Sequence, residues 1–343
     1  MRYKLLGQSG LRVSELCLGT MTFGEDWGWG ADQVTSQKIY ERFTEAGGNF
    51  IDTANNYTNG TSERFVGAFI KKERDQFVVA SKYSLRNRAG NPRDVNLGGN
   101  SRKSMLRSVE NSLKRLDTDY IDILYLHMWD FTTPVDEVLQ AARDLVMAGK
   151  ILYFAFSDTP AWVVSYALAK TEVFGWPRPV ALQIPYSLLD RGVERAELPM
   201  ARAFNLGILT WGMLEGGILS GKYSHPTEEP RRESDVGERE LEAGEFVAKV
   251  AKEIGCTPAQ VAINWIRRQP GNIIPILGCR TEAQILDNLG CLEAPLSEEH
   301  ITALSGLVDF KRGFPLDFLN SEHVRGLVLG DSAKSLDYSP RSP

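Results

Sequence analysis

FIDTANNYTNGTSE, residues 50–63, opens as an apolar strand and breaks at Asp52. Asn55, Asn56, Asn59 and Gly60 follow, a run too rich in turn formers to continue a strand. After Ser62 and Glu63 an amphipathic run begins, with Phe65, Val66, Phe69 and Ile70 at helical spacing. The stretch therefore puts a carboxylate at the C-terminal tip of a strand and Tyr57 five residues on in the loop. Such tips are where an α/β protein collects its working residues.

Upstream, YKLLG, a turn at Gln8–Gly10 and LRV read as a hairpin. Strands are expected at 16–21, 49–52, 76–82, 120–127, 150–157, 179–186, 207–212 and 272–277. The fourth, YIDILYLH, is almost wholly apolar, as a strand buried on both faces should be. Helices are expected at 34–45, 62–72, 101–115, 135–147, around 195–205, and at 240–254, 258–268, 281–289 and 297–307. Another starts at Pro160, a favoured first-turn residue. Polar loops cover 83–100 and 213–238, and an irregular tail covers 311–343. Alternating strands and helices build either a doubly wound sheet or a (β/α)8 barrel. Eight strands favour the barrel, and no GxGxxG follows any of them. With no linker-like stretch, residues 1–343 read as one α/β domain: a TIM barrel with an N-terminal hairpin and the tail over its mouth.

The 343 residues are 24% charged and 43% hydrophobic, ordinary for a soluble globular chain. The net charge of −5 offers no basic field for nucleic acid or an anionic membrane. No apolar run is long enough to span a bilayer, and MRYKLLGQSG is no signal peptide. Cys17, Cys256, Cys279 and Cys291 lack metal-ligand spacing, so reduced thiols of a cytoplasmic protein are expected, with no metal site.

The expected strands end in Thr20, Asp52, Lys82, His127, Ser157, Gln183 and Trp211, with Arg280 just past the last. In a barrel these ends face one mouth. Asp52 and Lys82 are natural partners there, since a buried ammonium beside a carboxylate stays charged. A charged lysine beside a phenol predicts a Tyr57 pKa below the usual ~10, suiting it to protonate a nascent alkoxide. His127 could hydrogen-bond the same oxygen.

These residues sit in segments that resemble the aldo-keto reductase family over nearly the whole chain, from LCLGTMTFG (16–24) to FPLDFL (314–319). DTANNYTNGTSE resembles the family signature, VVASK the lysine strand and DILYLHMWD the histidine strand. The resemblance implies Asp52, Tyr57, Lys82 and His127 as the catalytic tetrad. It also implies NADPH extended across the mouth without a Rossmann domain, and a small-molecule carbonyl substrate. Gly19, Thr20 and Met21, with Asp52, fall among the implied cofactor contacts. Ser157, Asp158 and Gln183 fall where the carboxamide is held, and Trp211 where a ring stacks on the nicotinamide. Gly212, Met213 and Leu214, then Gly216, Leu219, Gly221 and Lys222 of GGILSGKY (216–223), fall along the pyrophosphate. Arg280, Gln284 and Asn288 fall at the 2′-phosphate and adenine. For substrate, the expected walls are Phe23, Trp27, Trp29 and Trp129, with Tyr57, His127 and the tail around Phe314–Phe318.

The chain departs from the family pattern in places. Ser157–Asp158 stands where Ser-Asn is usual, adding a negative charge, and Gly212–Met213 where Ser-Pro is usual, removing a hydroxyl. Cys279 replaces a smaller residue and is a candidate for oxidation. The family also contains potassium-channel β subunits, which act chiefly as cofactor-bound partners, and the chemistry runs equally as NADP-dependent oxidation of a sugar or polyol.

Overall fold

A computed structural model describes residues 1–87, 90–91, 93–222 and 236–335, the side chains of 333 and 334 excepted. Tyr223, which closes the GGILSGKY segment, and the last residues of the tail lie outside the described residues. The hairpin forms as expected, β1 (Tyr3–Leu5) antiparallel to β2 (Arg12–Ser14). The eight strands that follow are β3 (Cys17–Gly19), β4 (Phe50–Asp52), β5 (Val78–Tyr83), β6 (Ile121–Leu126), β7 (Ile151–Ser157), β8 (Ala181–Pro185), β9 (Gly207–Trp211) and β10 (Ile273–Gly278). They close into a parallel barrel in which β10 pairs with both β9 and β3. This is the (β/α)8 architecture.

Strand alternation decides which side chains enter the barrel. Phe50, Ala80, Tyr125, Ala155, Ala181, Leu209 and Ile276 pack in the inner cluster. Their neighbours one residue on or back, such as Ile51, Val79, Leu124, Phe154 and Leu182, pack in the outer cluster beneath the helices. Leu6 and Val13 join the inner cluster, so the hairpin plugs the end opposite the strand tips.

The helices carry matching stripes. α1 (Gln33–Glu45) is capped by Asp32, which accepts from the Thr35 amide. α2 (Thr61–Ile70) starts at the end of the signature stretch and buries Val66, Gly67 and Ile70. α3 (Arg102–Leu116), capped by Ser101, buries Met105, Val109, Leu113 and Leu116 and turns its basic residues outward. α4 (Val135–Met147) has the expected bounds, while Pro160 lies at the N-cap of α5 (Ala161–Phe174), one position before the first turn. The remaining helices are α6 (Glu197–Ala203), α7 (Glu238–Ile254), α8 (Pro258–Arg267), α9 (Glu282–Leu289) and α10 (Glu298–Ser305). Among the described residues no helix is long and apolar enough to cross a membrane.

The tail departs from expectation. It is helical rather than irregular in α11 (Leu316–Leu319) and α12 (Glu322–Leu329). Phe314 and Phe318 are 85% and 56% exposed and pair with each other rather than with the mouth. The tail is instead tied through its base, where Arg191 and Arg195 lie over the Phe310 ring and Arg195 donates to the Lys311 carbonyl.

Gly67 shows how closely α2 and α3 approach: a Cβ there would lie 2.4 Å from the Leu116 carbonyl oxygen. Helix propensity alone favours alanine by about 1 kcal/mol. Forcing a methyl against a backbone carbonyl costs about 1–3 kcal/mol. Gly67→Ala is therefore expected to destabilise, read as a lower urea midpoint; a higher midpoint would contradict this packing.

Candidate active site

The residue two positions beyond each inward-facing core residue also faces inward. Phe50 leads to Asp52, Ala80 to Lys82, Tyr125 to His127, Ala155 to Ser157, Ala181 to Gln183 and Leu209 to Trp211. Polar side chains from different strands thus meet at the tips. Tyr57 reaches them from the loop after β4, whose path includes left-handed Thr58 and Asn59. Thr58 is held there by a 2.6 Å bond to the Phe23 carbonyl.

Lys82 lies at the centre with a fully buried side chain. Its ammonium donates to Asp52 Oδ2 at 2.5 Å, to the Thr53 carbonyl at 3.1 Å and to the Tyr57 hydroxyl oxygen at 2.9 Å. A lysine has three donors, and all three are used. The other Asp52 oxygen accepts from Gln183 Nε2 at 2.9 Å. Because Tyr57 accepts from Lys82, its own proton is left to point elsewhere. The His127 ring lies edge-to-face with Tyr57, centroids 5.8 Å apart.

Burial disfavours the Lys82 charge, but Asp52 and Tyr57 outweigh it and raise the pKa, so the ammonium persists. Tyr57 corrects the sequence expectation of a lowered pKa. Burial raises it, Lys82 pulls it down, Asp52 pushes it up again, and the balance lies above the usual value. The phenol is held protonated. Burial, reinforced by Lys82, drives the His127 pKa well below its usual value, so its imidazole is neutral. Its Nδ1 has no partner among the described residues.

Above this network opens a cavity of about 770 Å³. Around Tyr57 and His127 its lining includes Met21, Trp27, Asn56, Leu85 and Met128. Ser157, Asp158, Gln183 and Trp211 form a second wall, and the β9 loop and α9 a third with Gly212, Leu214, Gly216, Lys222, Arg280 and Asn288. The cavity fits an extended dinucleotide on several counts. A Cβ at Gly212 or Gly278 would meet no protein atom and would fill the cavity instead. The Ser157 hydroxyl is buried without a partner among the described residues. Trp211 is 41% exposed, an aromatic surface left for a flat ring. Lys222 and Arg280 supply positive charge for phosphates. Gln284 lines the same wall, its side-chain oxygen accepting from the Arg280 amide. Among the described residues no His, Cys, Asp and Glu cluster could hold a metal ion.

Several expected contacts are not on these walls. Thr20 is one residue out of phase with inward-facing Gly19, and its hydroxyl engages the Asp52 carbonyl and Ser62. Leu219 is fully buried in the outer core, and Gly221 packs near Pro258 as a helix C-cap. Of the expected substrate walls, Phe23 is core, edge-to-face with Phe69. Trp29 packs against Trp27, ring centroids 5.6 Å apart, and is not itself among the lining residues, and Trp129 packs against the outer core. Among the described residues the tail contributes none to the lining. Cys279 is buried, accepts from Asn288 and has its thiol pushed up to about 12 by burial, which argues against easy oxidation. Sequence reading missed Asn56, Leu85, Met128, Glu215 and Asp287. Asn56 and Met128 directly adjoin Tyr57 and His127 in the chain, a signal that could have found them.

The profile of the Aldo/keto reductase family matches residues 15–309. A norsolorinic acid reductase of Emericella nidulans is 38% identical over 318 residues, covering 91% of this chain and 82% of its own. An NADP(+) aryl-alcohol dehydrogenase of Phanerodontia chrysosporium is 38% identical over 332 residues, 89% of this chain and 85% of its own. An aryl-alcohol dehydrogenase of Pestalotiopsis microspora is 35% identical over 339 residues, 96% of this chain and 87% of its own.

Lys82 and Asp52 should be strongly non-additive. Lys82→Met leaves a buried carboxylate with Gln183 as its remaining side-chain donor and is expected to cost about 3–5 kcal/mol of stability. Adding Asp52→Asn should recover part of that loss. Chemical denaturation of the single and double variants measures the coupling; strictly additive losses would contradict it.

Proposed function

The chain belongs to the aldo/keto reductase family and is an oxidoreductase working with NADP(H); from that premise we propose that it reduces an aromatic aldehyde or ketone to the alcohol, with Tyr57 as proton donor. What carries the reading is that Lys82 spends every donor on Asp52, Thr53 and Tyr57, so the phenol proton is free for a substrate oxygen. The substrate class is supported by apolar Met21, Trp27, Leu85 and Met128 beside Tyr57 and His127, and by relatives named for aryl alcohols.

In this mechanism the carbonyl oxygen lies between the Tyr57 hydroxyl and an N–H of neutral His127, which fixes its direction. When bound, the dinucleotide supplies a hydride to the carbonyl carbon. Tyr57 gives its proton to the oxygen as negative charge develops there. Its raised pKa ensures that the proton is present beforehand, and the oxygen of a forming alkoxide is basic enough to take it. The phenolate left behind faces the Lys82 ammonium, whose charge Asp52 maintains. Ser157, Gln183 and Trp211 are assigned to the nicotinamide, and Lys222, Arg280, Gln284 and Asn288 to the phosphates and adenine. Four free cysteines, three of them buried, support a reducing compartment such as the cytoplasm.

Tyr57→Phe is expected to lower kcat about 10²- to 10⁴-fold while leaving NADPH affinity intact. Steady-state rates on a panel of aryl aldehydes, aryl ketones and sugars, with NADPH and NADH in parallel, check both role and substrate class. Reduction by Tyr57→Phe at the parental rate would refute the proton donor. Faster turnover of sugars would overturn the substrate class, and tight NADPH binding without turnover would favour a partner protein.

A further inference from the structure

Asp158 is fixed in a constrained place. Its backbone is left-handed at φ 40°, a region that aspartate tolerates better than most residues. Its N–H donates to the Gln183 carbonyl at 3.1 Å, and its carbonyl accepts from the Trp129 amide at 3.4 Å. The side chain accepts from Trp211 Nε1 at 3.3 Å through Oδ1. A carboxylate therefore sits at the edge of an indole that is 41% exposed, and both residues line the cavity. An aromatic surface with a carboxylate at its edge suits a flat cation.

The proposed chemistry brings such a cation to this wall. Hydride must reach a carbon whose oxygen is held by Tyr57 and His127, while Lys222 and Arg280 draw the phosphates toward the β9 loop and α9. That leaves Trp211 and Asp158 for the nicotinamide, which is positively charged when oxidised and neutral when reduced. We propose that Asp158, held by Trp211, makes this protein bind NADP+ in preference to NADPH by recognising the ring's charge. The inference rests on the cofactor reading above and goes beyond it. Its consequence is that the bound reduced cofactor is a stronger hydride donor than the free one, because the oxidised product is favoured in the site.

The preference should depend on pH near neutrality. Burial pushes the Asp158 carboxyl up to about 6, against the pull of Trp211 and Lys82. Above that value the carboxylate discriminates; below it the neutral acid does not. The other groups facing it are Lys82 from β5, Tyr57 from the β4 loop and His127 after β6. Lys82 stays charged, Tyr57 stays a phenol and His127 stays neutral across this range. Gln183 and Ser157 carry no charge, and Asp52 is tied to Lys82 and Gln183. Among the described residues, Glu215, Lys222, Arg280 and Asp287 complete the charges on the walls, from the β9 loop, the turn before α9 and α9 itself.

Calorimetric titration of NADP+ and of NADPH into wild type and Asp158→Asn, at about pH 5.5 and about pH 8, tests this without turnover. The readout is Kd(NADPH)/Kd(NADP+), from which titration of the shared 2′-phosphate cancels. In wild type the ratio should rise about threefold between the two pH values, because about a quarter of Asp158 is already ionised at the lower one, and in Asp158→Asn it should stay flat and about tenfold lower at the higher pH. Asparagine keeps an oxygen for Trp211, so the change isolates the charge. A ratio independent of pH in wild type, or equal in the two proteins at the higher pH, would overturn the inference. Failure of both dinucleotides to bind wild type would instead overturn the cofactor reading beneath it.

Discussion

The Lys82 ammonium is the charge on which the mouth depends. An ion at full burial is tolerable only when its hydrogen bonds are made and its charge is answered, and Asp52, Thr53 and Tyr57 do both. The network also ties the barrel across its diameter. In the closed ring β4 and β8 are four strands apart, as far as eight strands allow, and the Gln183–Asp52 bond joins them. One lysine thus fixes the orientation of the phenol, and the carboxylate that answers its charge is held in turn from across the barrel.

This arrangement separates two properties that are easily run together. The lysine does not make Tyr57 an unusually acidic phenol in the free protein, because burial and Asp52 outweigh it. What it supplies is direction and a countercharge: it occupies the phenol oxygen as an acceptor and stands ready beside any phenolate that forms. In the proposed mechanism His127, made neutral by burial, directs the substrate oxygen without competing as an acid. Division of labour follows from position, with the proton on one group, the charge on another and the orientation on a third.

The remaining walls show the same economy. Glycines and one exposed tryptophan leave room and a flat surface, while Lys222 and Arg280 bring positive charge from loops. Asp158 is the exception on a wall that Ser157, Gln183 and Trp211 otherwise leave uncharged. Its carboxylate is pinned through its backbone to β8 and through its side chain to Trp211, so its charge has a defined address in the cavity.

Much of this was legible in the chain itself. The strand count, the hairpin and the bounds of α4 follow from periodicity and turn chemistry, which are local. Asp52, Lys82 and His127 could be read as strand tips, and the family resemblance joined them to Tyr57. Tertiary structure decided the rest. Thr20 ends a strand too, but it is out of phase with the inward residues by one, and a one-residue step reverses the face. Phe23 and Trp129 look like mouth aromatics in sequence, yet loop paths carry them into packing. The helices of the tail and the exposure of its phenylalanines likewise depend on what the chain meets, not on what it contains. Sequence by itself determined which chemical groups exist and roughly where strands begin and end, because those depend on near neighbours. Closure of the barrel decided which groups touch and how their charges balance, because burial and distance belong to residues far apart in the chain.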